Sequence, residues 1–180
     1  TAKDKEIDDL KKKVNEHTDR LKAVSVNINA QEQYSRRNCL RFFGCPERKG
    51  ESTDSIVMKM VNDILKVNLT VDDIERSHRV GMPGEPLPEP APGAIEDPTA
   101  PTKTYRGIIV KFKSYRKRQE IILNRRKLKG RKRAIVEDLT AKNQKLLAMA
   151  KGHPHVEAAW SNDGRIIALL SGNHCWSYDQ

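Results

Sequence analysis

One stripe of residues limits what this chain can become. Ile7, Leu10, Val14, His17, Leu21, Val24, Ile28 and Gln31 recur in alternating steps of three and four across residues 1–35, with no Gly or Pro between them. That is a heptad seam, with Ile7, Val14, Leu21 and Ile28 at its a positions and Leu10, His17, Val24 and Gln31 at d. The remaining positions are mostly charged and polar, and the segment carries seven cations and seven anions. So narrow a stripe buries too little to keep a lone helix folded. A coiled-coil oligomer is therefore expected, with Ile7, Leu10, Val14, His17, Leu21, Val24 and Ile28 as its contacts. Docking of the helix on the chain's own domain is the alternative. His17 and Gln31 suit register more than stability, and the seam alone does not give the number of strands.

Beyond the stripe the periodicity changes. Residues 36–137 read in order as strand, helix, strand, strand, helix, strand. The strands are the run ending CLRFFG, residues 74–80, RGIIVKFK and RAIVE; the helices start at Ser52-Thr53-Asp54 and at Ser114. The second helix is expected to run to Gly130. That order is the βαββαβ arrangement of ferredoxin-like domains. Residues 82–102 hold most of the prolines and several acids and read as a loop or disordered insert. In 138–180, Asp138-Leu139-Thr140 reads as a helix start with Asp138 as cap. A hairpin over 158–170 turns at Asn162-Asp163-Gly164. This small helix-plus-hairpin domain is expected to pack on the sheet domain or on a neighbouring subunit. The fold class is α+β throughout.

The net charge of +10 is concentrated in two clusters. Residues 36–49 come to +4 and residues 103–133 to +13, whereas the 82–102 segment is −4. Clustered Lys and Arg are what a polyanion partner requires.

Side chains alternate across a strand, so Leu40 and Phe42 face one way and Arg41 and Phe43 the other. Ile108, Val110 and Phe112 likewise oppose Ile109, Lys111 and Lys113. In a ferredoxin-like domain these two strands lie together at the centre, with one face covered by helices and one open. The open face is the RNA platform of RNA-recognition motifs. Here Arg41, Gly107 and Ile109 stand where those domains carry stacking aromatics, so phosphate contacts are expected to dominate, with Phe43 left to stack one base. Arg116, Lys117, Arg118, Arg125, Arg126, Lys127 and Lys129 crowd the second helix, and Arg131, Lys132 and Arg133 extend the run. Lys129–Arg133 also reads as a nuclear-import signal.

Other classes fit poorly. There is no Gly-rich Lys-Ser/Thr phosphate loop and no two-His helix motif, so no enzyme is expected. His153 and His155, or His174 beside Cys175, lack the further ligands of a metal site; no metal or cofactor is expected. No apolar run approaches the roughly 20 residues of a membrane span. The three cysteines, Cys39, Cys45 and Cys175, are odd in number and suit a reducing compartment. Thr1 in place of a start Met reads as a fragment of a longer chain.

The blocks YSRRNCLRFFGCPE, RSHRVG, RGIIVKFKSYRKR, LKGRKRAIVEDLT and AAWSNDGRI, in that order behind a heptad helix, resemble the first open-reading-frame protein of LINE-type retrotransposons. WSNDGRI also resembles the baculovirus few-polyhedra protein. The LINE resemblance covers nearly the whole chain. It implies a parallel trimeric coiled coil, an RNA-recognition-like domain and a small C-terminal domain. It further implies a non-enzymatic chaperone that coats the element's RNA in a cytoplasmic ribonucleoprotein. Single-stranded RNA is the implied partner, with single-stranded DNA left open. By position it assigns Arg36, Arg37, Asn38 and Arg41 to the first-strand basic motif, Lys103 and Arg106 to the approach to the third strand, and Arg165 to the C-terminal hairpin. The family's trimer motif ends in Glu where this chain has Ser25, so its Arg–Glu pair is lost. The expected nucleic-acid contacts are thus Arg36, Arg37, Asn38, Arg41, Phe43, Lys103, Arg106, Lys111, Lys113, Arg116, Arg118, Arg125, Arg126, Lys129, Arg131, Lys132, Arg133 and Arg165.

Overall fold

The structure, a computed structural model, describes residues 2–82, 105–171 and 174–178. Lys103 and, apart from Met82, the expected insert at 82–102 lie outside the described residues. The protein is mixed α+β, with a long N-terminal helix and two antiparallel sheets, arranged as two compact units.

One unit spans Arg36–Asp138. Its strands are β1 (Cys39–Phe43), β2 (Ile74–Arg79), β3 (Ile108–Phe112) and β4 (Ala134–Glu137), in the order β2-β3-β1-β4. Between β1 and β2 lies α2 (Thr53–Met60), and between β3 and β4 lies α3 (Tyr115–Asn124). Ser52 caps α2 by accepting a hydrogen bond from the Ser55 N–H at 3.3 Å. The alternation read from the sequence sorts the side chains. Leu40, Phe42, Ile108, Val110, Phe112 and Ile135 form one core with Val57, Met60, Val61 and Leu65 from the first helical segment and Ile121, Ile122 and Leu128 from the second. Leu40, Phe42, Ile108, Val110 and Phe112 are wholly buried.

The second helix is shorter than its basic run suggests. It ends at Asn124 and tightens into a 3₁₀ turn over Arg125–Leu128. The Asn124 amide donates back to the Glu120 carbonyl at 2.9 Å, a local bond that competes with helix propagation. Gly130, at φ +80°, supplies the left-handed residue further on.

The other unit joins α1 (Ala2–Ser35) to α4 (Ala141–Lys151), β5 (Val156–Asn162), β6 (Arg165–Leu170) and β7 (His174–Tyr178). Asp163 and Gly164 both take positive φ in the β5–β6 turn, as a two-residue hairpin loop requires. The third strand, β7, pairs with β6 and was not legible as a strand. Thr140, not Asp138, caps α4, accepting from the Asn143 N–H at 3.2 Å. The C-terminal elements pack on α1. Asn29 donates to Asn143 Oδ1 at 3.1 Å and accepts from Thr140 at 2.8 Å, while Gln33 accepts from the Thr140 N–H at 3.0 Å. Asn29 and Asn143 are buried. This contact uses the face of α1 carrying Asn29 and Gln33. The heptad stripe is elsewhere on the helix, and Ile7, Leu10, Val14, Leu21, Val24 and Ile28 are 49–70% exposed.

Candidate nucleic-acid interface

The pairing register aligns the open face of the four-stranded sheet. His78, Ile109, Arg41 and Val136 form one row across β2, β3, β1 and β4, and Arg76, Lys111 and Cys39 form the next. Phe43 lies beside them, 38% exposed, over Gly107; a Cβ there would meet the ring at 2.8 Å. Glycine in that position is what lets the ring lie against the strand.

The cations of this face are extensively engaged. Asp138, 2% exposed, accepts from Arg41 Nε at 2.6 Å and from Arg36 at 3.0 Å. One carboxylate thus offsets half of two guanidinium charges. Lys111 contacts Glu75 at 2.8 Å with both groups nearly half exposed, a pair of little intrinsic worth that a phosphate can displace. Arg106 grips Glu47 and donates to the Gly81 carbonyl at 2.9 Å. The Arg106 hydrogen bond holds the Glu47 carboxyl below its ordinary value. Arg37 is exposed, whereas Asn38 presents a buried Oδ1 that has no hydrogen-bond partner among the described residues.

Arg118 leaves the set altogether. It is 2% exposed, ion-paired with Glu137 inside the helix-covered side, and its guanidinium lies 5.7 Å from the Tyr115 ring centre. Its helical position turns it toward the sheet, where Leu40 aligns with Glu137 on the core face. Lys113 and Arg116 are exposed at the entry to α3, and Lys117 donates to the Asn68 carbonyl at 2.9 Å. Arg165 opens β6 and belongs to the other unit.

The rest of the basic run gathers elsewhere. Arg125, Arg126, Lys129, Arg131 and Arg133 line a groove of about 590 Å³ beside β4, with Leu128, Ala134 and Ile135 as its apolar lining and no carboxylate among the described residues. Lys132 is exposed within the same loop. The expected contacts therefore divide between a partly neutralised sheet face and a basic groove at the β4 edge.

Sequence reasoning missed the residues that shape this end of the unit. Arg79, 5% exposed at its side chain, donates to both Glu51 oxygens at 2.7 and 3.0 Å and to the carbonyls of Cys45, Pro46 and Arg106 at 2.7–2.8 Å. It pins the 45–51 loop. Burial pushes the Glu51 carboxyl up, but the Arg79 fork and the Arg48 N–H outweigh it and hold the group below its ordinary value. RSHR in an edge strand gave no signal of such a clamp, because its partners, the Glu51 carboxylate and three backbone carbonyls, come from distant segments.

Among the described residues no cluster of three or more His, Cys, Asp or Glu is placed to hold a metal, and no helix is long and apolar enough to cross a membrane. Cys39 and Cys45 are buried thiols, and burial pushes both above their ordinary pKa. Compared with models of known protein families and with curated proteins, the chain gives no match.

Proposed function

We propose that this protein is a homo-oligomeric, largely sequence-independent single-stranded nucleic-acid binder. It would coat RNA and act as a chaperone in a cytoplasmic ribonucleoprotein, as the LINE resemblance implies. The observation that carries the reading is the β4-edge groove, where five cations converge with no carboxylate among the described lining residues. Such a cluster repels itself unless anions occupy it. The strand order β2-β3-β1-β4 with two intervening helices supports a ferredoxin-like, RNA-recognition-motif-like domain. The sheet face supports weak base preference, since Phe43 is its one exposed aromatic among the central strands.

Oligomerisation rests on the exposed heptad seam. The same helix docks the C-terminal elements through Asn29 and Gln33, so docking and self-association do not compete for one surface. Several linked copies then raise avidity without new contacts. The test is light scattering during size exclusion, with and without an oligouridylate 40-mer. We expect a multimer of the chain that co-elutes with the RNA. A multimer that leaves the RNA in its own peak favours a coiled-coil scaffold for protein partners instead; a monomer that leaves it there contradicts both readings.

A further inference from the structure

A second, larger groove of about 880 Å³ opens between the 45–52 loop, α2 and the strand-entry loop before β4. Arg131 and Arg133 line both this groove and the smaller one, so the two adjoin. Its other cations are Arg48, Lys49 and Lys59, drawn from a loop and a helix face that stand well away from the basic run in sequence. Two carboxylates, Glu51 and Asp63, also line it, and Glu51 is held by Arg79. Ile56, Met60 and Ile64 supply an apolar lining. Lys49 and Lys59 are exposed.

We infer that the two adjoining grooves form one phosphate track, and that Arg48, Lys49 and Lys59 extend the binding site beyond the basic run. This inference rests on the nucleic-acid reading above. The occupant is the sugar-phosphate chain of a single strand. A compact anion would not need two grooves sharing their arginines, and an A-form duplex presents a broad surface, not a chain that follows a channel. Cations along the walls meet phosphates, and the apolar lining accepts the less polar sugar and base surfaces. The loop that carries Arg48 and Lys49 is held by the Arg79 clamp, so this part of the track exists before RNA arrives and little ordering is needed on binding. An acidic peptide is the other chemistry such a groove could take, but it would make less of the apolar lining between the charges.

The test compares the full chain with a Lys49→Gln/Lys59→Gln variant. Filter binding to labelled oligouridylate 30-mer is measured between low and moderate salt, with circular dichroism as the folding check. The log–log salt slope should flatten by about 0.7 for each lysine, about 1.4 in all. In parallel, a 4-thiouridine-substituted strand crosslinked to the unaltered protein should label peptides within residues 46–64. If the unaltered protein binds steeply, the variant keeps the slope and crosslinks fall only on the sheet face, this track is wrong and the nucleic-acid reading stands. If the unaltered protein retains no strand, that reading fails and the track with it. If poly-glutamate binds, the double substitution abolishes it and oligouridylate does not compete, the groove is a protein-docking surface and the inference is overturned.

Discussion

Arg41 donates from Nε to Oδ1 of Asp138 at 2.6 Å, and Arg36 holds the other oxygen of the same carboxylate. The middle of the sheet face therefore carries one net positive charge from two arginines. The electrostatic attraction of this face for a strand is correspondingly reduced.

Asp138→Asn should release that charge. The salt dependence of oligouridylate binding should steepen by about 0.7, and Arg41→Ala should flatten it by a similar amount. Equal slopes in the two variants would remove the sheet face from the binding surface.

Glu137 should matter to stability and not to binding. Glu137→Ala leaves the Arg118 guanidinium buried without its partner, which typically costs about 3–5 kcal/mol. Chemical denaturation should read this loss. Arg118→Met with Glu137→Leu should recover most of it, and neither change should alter the salt slope. A slope change in a folded Arg118 variant would return that residue to the interface.

Acid should weaken the Arg36–Asp138 unit. Hydrogen bonds from Arg106 hold Glu47 below its ordinary value of 4.5, the Arg79 fork outweighs burial at Glu51, and the Thr70 N–H holds Asp73 below 3.8. Each group binds its proton less readily folded than unfolded. Its contribution is complete above the unfolded value and is lost as pH falls through the folded one. Melting temperature should be level above about pH 5 and drop below the ordinary carboxylate range. In Arg106→Ala the drop should be shallower. A flat profile down to pH 3 would contradict these assignments.

The two faces of α1 should separate by mutation. Leu21→Asp with Val24→Asp should reduce the mass in light scattering to that of one chain, and should weaken RNA retention by roughly 100-fold or more through lost avidity. Gly164→Ala should act on the other face. Gly164 sits at φ +83°, and an added Cβ would meet the Gln33 side chain at 2.6 Å. The backbone alone should cost about 1–2 kcal/mol, with the oligomer mass unchanged.

The regular elements were legible because local rules govern them. Alternation in LRFF and IIVKF placed the core and open faces, and Asp163-Gly164 announced the hairpin turn. What stayed hidden was assembled from distant segments. Asp138 lies 97 positions from Arg41, so it read as a helix cap when the cap is Thr140. Arg118 looked like one more cation in a basic run until the helix phase turned it onto Glu137. Lys59 sits in a segment of net negative charge, and only the fold brings it into the same groove as Arg131 and Arg133. Charge counted along the chain therefore overstates the sheet face and misses part of the groove.

The most direct test is the salt dependence of single-stranded oligouridylate binding by the unaltered full chain. Five or more groove cations meeting phosphates predict a log–log slope of about −3 or steeper. Absence of retention at about 0.15 M salt, or a slope near zero, would mean that this basic surface does not serve a nucleic-acid backbone.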